Sequence, residues 1–193
     1  LIKIKSCAIF GGSFDPIHNG HLHLIDSISK SHKFDQFVVV PAGDPYQKKC
    51  LASPADRLKM VELALAGKSV EVSDCEIRRT GPSYAIDTLH EIENLYPAER
   101  YLWIVGSDAF AGIPSWNRFE ELIGLVEFLV IARPGSGNLE AIPGVRFERL
   151  DIDALDISST EVRSRIKSKE DVAHLLPTPV ATFIKEKGLY GAS

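Results

Sequence analysis

Gly11-Gly12-Ser13-Phe14-Asp15-Pro16-Ile17-His18-Asn19-Gly20-His21 is the stretch that decides the fold. Before it, Cys7-Ala8-Ile9-Phe10 reads as a buried strand that stops at the two glycines. After it, Leu22, Ile25 and Ile28 recur at helical spacing. A strand, a glycine turn and a helix start, in that order, build an anion site. Unsatisfied backbone N–H groups and the positive end of the helix dipole both point at the ligand there. His18 and His21 are three residues apart, so on a helix they share a side, and Gly20 removes a side chain from the surface a ligand would touch. His23 lies about 200° around the helix from His21, which puts it outside the site. A bare His-x-x-His is also compatible with a polar cap carrying surface histidines. The diglycine and the Phe-Asp-Pro turn in front of it point to function.

Length and composition narrow the classes. A chain of 193 residues fits one domain, large enough to bury about 70% of its unfolded surface. With 45% hydrophobic and 25% charged residues it has the make-up of a globular protein. A net charge of −4 offers no broad basic field, which argues against a nucleic-acid partner. Cys7, Cys50 and Cys75 are odd in number and in no metal spacing, so reduced thiols and a cytoplasmic setting are expected, with Cys7 a small core residue. No apolar run reaches the roughly 20 residues of a membrane span. Leu1-Ile2-Lys3-Ile4-Lys5 reads as the lead into the first strand rather than a secretion signal.

Taken in order, the chain alternates strands and helices. Strands are expected at Gln36 to Val40, Val70 to Ser73, Tyr101 to Val105, Glu127 to Ala132 and Val145 to Leu150. Ser53-Pro54-Ala55-Asp56 opens a helix whose core face is Leu58, Val61 and Leu65, and which Gly67 ends. Further helices are expected from about Ala85 to Tyr96 and near Arg118 to Ile123. Gly135 to Gly144 reads as a loop. Ser158 to Glu161 can form a capping box, and Thr178-Pro179 starts a last helix that Gly188 stops. The fold class is therefore α/β: a doubly wound, Rossmann-like parallel sheet in a single domain over 1–193, with a core over 1–150 and a small helical part over 151–193. Gly-Gly-Ser-Phe lacks the third glycine of the dinucleotide fingerprint, which disfavours a dehydrogenase.

The opening motif resembles the His-x-Gly-His pattern of the nucleotidyltransferase superfamily, and most closely the bacterial nicotinate-nucleotide adenylyltransferases. The resemblance runs over essentially the whole chain, including Leu175-Leu176-Pro177 and Gly188-Leu189-Tyr190. It implies transfer of the adenylyl group of ATP to nicotinate mononucleotide, giving the deamido dinucleotide and pyrophosphate in NAD synthesis. A phosphate is already an anionic nucleophile at neutral pH, so the obstacle is charge. Positioned donors and cations are then the main tool, each worth ~10²–10³ in rate.

The residues follow from that resemblance. His18 and His21 serve the triphosphate and transition state. Pro41-Ala-Gly-Asp-Pro-Tyr-Gln-Lys48 resembles the family's His-Lys segment, with Gln47 in place of the histidine, and makes Lys48 the loop lysine on the reacting phosphates. Without the resemblance, a loop lysine such as Lys48 is more often merely solvated, so its role rests on the resemblance. Ile157-Ser158-Ser159-Thr160-Glu161-Val162-Arg163 resembles the family's Ile-Ser-Ser-Thr-x-x-Arg triphosphate segment. Hydroxyls and free amides at a helix start, followed by Arg163, make a phosphate clamp, though an ordinary capped helix has the same pattern. The ATP set is thus Gly11, Gly12, Ser13, Phe14, His18, Gly20, His21, Gly106, Asp108, Arg133, Ile157, Ser158, Ser159 and Arg163, with Gly106-Ser107-Asp108 resembling a Gly-x-Asp nucleotide segment. Arg78-Arg79-x-Gly81-x-Ser83-Tyr84-x-x-Asp87-Thr88 resembles the segment that reads the nicotinate end. The mononucleotide set is Gly12, Ser13, Lys48, Ser83, Tyr84, Ala85, Thr88 and Trp116, with Tyr84 and Trp116 as ring faces or as packing residues. Ala85 stands where the family commonly has threonine, which leaves backbone amides to hold a carboxylate. Mg²⁺ is expected on the triphosphate rather than in a protein cage, and Asp15 is expected to fix its own turn before Pro16. Self-association stays open. The rivals are another acceptor, nicotinamide mononucleotide or phosphopantetheine, and a non-catalytic nucleotide sensor.

Overall fold

The computed structural model describes residues 4–46, 49–133, 135 and 137–192. Six strands form one sheet in the order β3-β2-β1-β4-β5-β6, and all neighbouring pairs are parallel. They are β1 (Ile4–Gly12), β2 (Gln36–Pro41), β3 (Glu71–Val72), β4 (Ala98–Gly106), β5 (Val126–Ala132) and β6 (Phe147–Asp151). The helices are α1 (Asn19–Ser31), α2 (Pro54–Leu65), α3 (Cys75–Arg78), α4 (Ala85–Leu95), α5 (Ser107–Ala111), α6 (Phe119–Leu125), α7 (Ser159–Lys167) and α8 (Thr178–Lys187). No helix among the described residues is long and apolar enough to cross a membrane.

Period-two alternation sorts the strands' side chains into two cores. Ala8, Phe37, Val39, Ile104, Leu129 and Ile131 face one layer, built by α1, α2, α7 and α8. Cys7, Ile9, Val38, Val40, Trp103, Val105, Phe128 and Val130 face the other, built by α4, α5 and α6. A parallel sheet covered on both faces leaves its strand ends as the place for a ligand. The order reverses between β1 and β4, and the crevice outside their carboxyl ends is the switch point.

The local signals explain most boundaries. Ser53 caps α2, its hydroxyl accepting from Asp56 N–H at 3.1 Å, and Gly188 ends α8 with φ of 61°. Ser158 caps α7 through Glu161 N–H at 3.1 Å, but the Glu161 carboxylate accepts from Arg165 instead of closing the box.

Several expectations are corrected. β1 does not stop at the diglycine, because Gly11 and Gly12 pair with Val40 and Pro41, and a ladder uses only backbone groups. β4 starts at Ala98, drawn out by pairing with β1 from Ile4 onward. β3 shrinks to two residues at the sheet edge. α3 was not expected; Arg78 in it pairs with Asp74 one turn back at 2.9 Å. On α2, Leu58 is only half-buried, whereas Arg57 is buried.

Candidate active site

His18 occupies the N-cap of α1 and His21 its third position, and the two rings stack with centroids 3.7 Å apart. The backbone sets this geometry. His18 N–H donates to His21 Nδ1 at 3.2 Å, which leaves Nε2 to carry the proton of a neutral His21 ring. Phe14, held at φ of 47°, supports His21 edge-on at 5.1 Å. Gly20 is needed here: a Cβ on it would lie 3.0 Å from His18 Nδ1 and 3.5 Å from Ile157. His18 is 5% exposed and its Nδ1 has no partner. Burial pushes its pKa down to about 4, so the ring is neutral near pH 7.

That depression has a stability consequence. An unfolded histidine protonates near its ordinary value of 6.5, ahead of the folded one at about 4. The neutral His18 therefore contributes fully above pH 6.5, and the contribution is lost as pH falls towards 4, about 3 kcal/mol in all. Urea unfolding of wild type and His18→Gln between pH 7.5 and 4.5 checks this. Wild type should lose the more stability on acidification, and parallel pH profiles would refute the assignment.

Two clefts open at the strand ends. The first, about 610 Å³, is lined by Ser13, His18, Gly20, His21, Arg133, Ile157, Ser158, Ser159 and Arg163 of the expected ATP set, and also by Lys49 and Asp15. The N-terminus of α7 is docked onto the signature loop. Ser159 Oγ donates to Pro16 C=O at 3.0 Å, and Arg163 Nη1 donates to Asp15 C=O at 2.7 Å. Two helix starts, Lys49, Arg133 and Arg163 thus share one opening, an environment that favours several anionic oxygens at once.

The second cleft, about 260 Å³, sits at the switch point and is lined by Gly11, Gly12, Ser13, Gly106, Ser83, Ala85 and Trp116, together with Trp103, Glu76 and Asn117. Trp103 and Trp116 meet edge-to-face at 6.5 Å. Gly11 and Gly106, placed in the ATP set by sequence, lie here rather than beside the histidines. Ser13 belongs to both clefts.

Some expected residues line neither. Phe14 is buried beneath His21. Asp108 is an exposed residue of the first turn of α5. Tyr84 meets Tyr46 edge-on, with ring centroids 5.3 Å apart. Thr88 is fully buried because its hydroxyl donates to Glu76 Oε1 at 2.5 Å and accepts from Arg79 Nη2 at 3.2 Å. Lys48 and Gln47 lie outside the described residues. Asp15 does not fix its own turn. Its carboxylate accepts from Leu51 N–H at 2.7 Å, Ala52 N–H at 3.1 Å and the Tyr190 hydroxyl at 2.6 Å. Sequence reasoning passed over Lys49, Trp103, Glu76 and Arg57, none of which carries a local motif.

His23 points elsewhere, its Nε2 bonding Asp153 C=O at 2.9 Å. His23→Ala should keep turnover within about twofold of wild type, as an exposed hydrogen bond is worth only ~1 kcal/mol. A tenfold loss in steady-state rate would contradict this geometry.

The sequence family described as cytidylyltransferase-like matches residues 9–165. The probable nicotinate-nucleotide adenylyltransferase of Dehalococcoides mccartyi is 37% identical over 202 residues, covering 98% of each chain. That of Gloeobacter violaceus is 40% identical over 194 residues, covering 94% of each. Among solved structures, the Plasmodium falciparum nicotinic acid mononucleotide adenylyltransferase complexed with NaAD is similar with a TM-score of 0.78 at 23% identity, over 98% of both chains. A Vibrio parahaemolyticus structure described as a putative nicotinate-nucleotide adenylyltransferase gives 0.69 at 22% identity. At those identities the likeness speaks to the fold.

Proposed function

We propose that this chain, which belongs to the nicotinate-nucleotide adenylyltransferases of the cytidylyltransferase-like family, joins ATP to nicotinate mononucleotide across the wall its two clefts share. The observation that carries this is the position of Ser13, which lines both openings. The triphosphate takes the first cleft, among His18, His21, Arg163 and the amides of two helix starts. The mononucleotide takes the second, with its ring against Trp116 and its phosphate at the diglycine. The two phosphates then meet at Ser13.

An oxygen of the acceptor phosphate attacks the α-phosphorus in line. The new P–O bond forms as the bond to the bridging oxygen breaks, and that electron pair leaves on pyrophosphate. No proton has to be removed from the nucleophile, so no general base is required. Negative charge grows on the leaving oxygens, where donors already in place stabilise it without reorganisation. An anion beside His18 opposes the effect of burial and draws its pKa back up from about 4. Lys49 adds charge from the segment after β2.

Mg²⁺ would be carried by the triphosphate oxygens, where it would offset their charge. Asp15, the carboxylate at the first cleft, has both oxygens engaged by Leu51, Ala52 and Tyr190, which suits a structural post better than a metal ligand. We place the enzyme in the cytoplasm, with the ATP and pyridine nucleotides it consumes.

A second acceptor has one observation behind it. Glu76 is the only charged side chain lining the second cleft among the described residues, and its Oε2 is buried without a partner. With Oε1 taken by the Thr88 hydroxyl, the remaining oxygen, Oε2, favours the carboxamide of nicotinamide mononucleotide over a second carboxylate. Pyrophosphate release with ATP and each mononucleotide decides. The proposal expects the nicotinate form to have the higher kcat/KM, and equal or reversed preference would move the substrate assignment to the amide. No release with either would leave a nucleotide-binding sensor.

A further inference from the structure

Arg57, in the first turn of α2, is 1% exposed and is the largest of the fully buried side chains. An arginine stays charged in a protein, and a buried charge is costly unless partners compensate it. Here compensation is partial. Nη1 donates to Ser13 C=O at 2.8 Å and Nη2 to Gly43 C=O at 3.0 Å. Nε has no acceptor, and no carboxylate among the described residues forms an ion pair with the guanidinium.

The two carbonyls sit in neighbouring strand-end loops. Ser13 follows β1 and is common to both clefts. Gly43 follows β2 and opens the segment that brings Pro45 and Tyr46 to the second cleft and Lys49 to the first. Gly43 is wedged: a Cβ there would lie 2.1 Å from Glu76 O. Its neighbour Asp44 donates its N–H to Ser83 Oγ at 3.1 Å and accepts from Ser83 N–H at 2.9 Å. The planar fork of Arg57 therefore braces the walls of both clefts from below, and its charge lies one carbonyl away from Ser13.

We infer that Arg57 is a positioning residue for adenylyl transfer: its fork holds Ser13 and Gly43 in the register at which two phosphorylated substrates meet, and those substrates' phosphates are its missing counter-charge. The inference rests on the proposed function. It requires that charge and fork be separable by mutation, because a lysine keeps the charge but not the two-pronged geometry.

The test compares wild type, Arg57→Lys and Arg57→Met by calorimetric titration with inorganic pyrophosphate and by turnover with ATP and nicotinate mononucleotide, with circular dichroism as the fold control. Arg57→Lys should bind pyrophosphate within about threefold of wild type yet lose about tenfold in kcat at little-changed KM, as misplacement costs rate rather than affinity. Arg57→Met should lose about tenfold in pyrophosphate affinity and about 10² in kcat. Wild-type kcat in the lysine variant, or wild-type pyrophosphate affinity in a folded methionine variant, overturns the inference. So do parallel losses of affinity and kcat in the lysine variant, or its failure to fold, which would make the arginine purely structural. If the methionine variant alone does not fold, the split in the lysine variant decides. Failure of the functional reading shows separately, as a wild type without turnover, and the pyrophosphate affinities then still test the charge.

Discussion

His21→Ala lowers kcat by about 10²–10³, while far-UV circular dichroism stays that of wild type and urea stability falls by only about 1 kcal/mol, the cost of the His18 N–H losing its acceptor. The ring is half-buried and lies at the mouth of the first cleft. Its Nδ1 is already occupied by His18 N–H, so its Nε2 proton is what remains to meet a leaving phosphate oxygen. Such a donor acts where charge develops, and its loss falls on kcat more than on KM for ATP. His18→Ala gives a loss of the same order. The change removes His18's half of the capping box at the start of α1 and the stacked partner of His21, about 1 kcal/mol of helix capping, which leaves the fold intact. Single-turnover release of pyrophosphate at saturating ATP and nicotinate mononucleotide measures both. Near-wild-type rates in either variant would remove charge stabilisation by these rings from the mechanism.

What the sequence disclosed and what it hid differ by the range of the interaction. The strand–glycine–helix unit, the Ser53 and Ser158 caps and the Gly188 stop are local, and local periodicity with cap chemistry finds them. The parallel, doubly covered sheet follows from the alternation of elements. The His18–Gly20–His21 group and Arg163 were legible as motifs, and both line one cleft. The hidden part is non-local. Arg57 looks like a solvated helix residue until the fold brings Ser13, 44 positions away, over it. Thr88 looks like a cleft residue until Glu76 and Arg79 claim its hydroxyl. Glu76 and Trp103 belong to no motif and enter the second cleft only because α3 packs against β2 and β4 pairs with β1.

Asp15 is the sharpest case, and Asp15→Ala is expected to cost about 3–5 kcal/mol in urea unfolding together with turnover. The carboxylate is 3% exposed. It ties the signature loop to two amides 36 and 37 positions on, and to a hydroxyl 175 positions on. Burial first, and then the bond to Asp15, push the Tyr190 hydroxyl's pKa well up, so it remains a proton donor throughout the working range. Removing the carboxylate strands all three donors in the interior. It also releases Leu51 and Ala52, which anchor the loop carrying Lys49 into the first cleft. Tyr190→Phe strands no amide, and it should lose only about 1 kcal/mol and keep most of the turnover. A metal-ligand role makes the opposite forecast. Removing a ligand spares the fold and raises the magnesium concentration needed for half-maximal rate, whereas removing a post lowers stability and leaves that concentration unchanged in whatever activity survives. An Asp15→Ala protein as stable as wild type and restored by excess magnesium would return this aspartate to the metal, and with it the question of how the cation is held while the two phosphates meet.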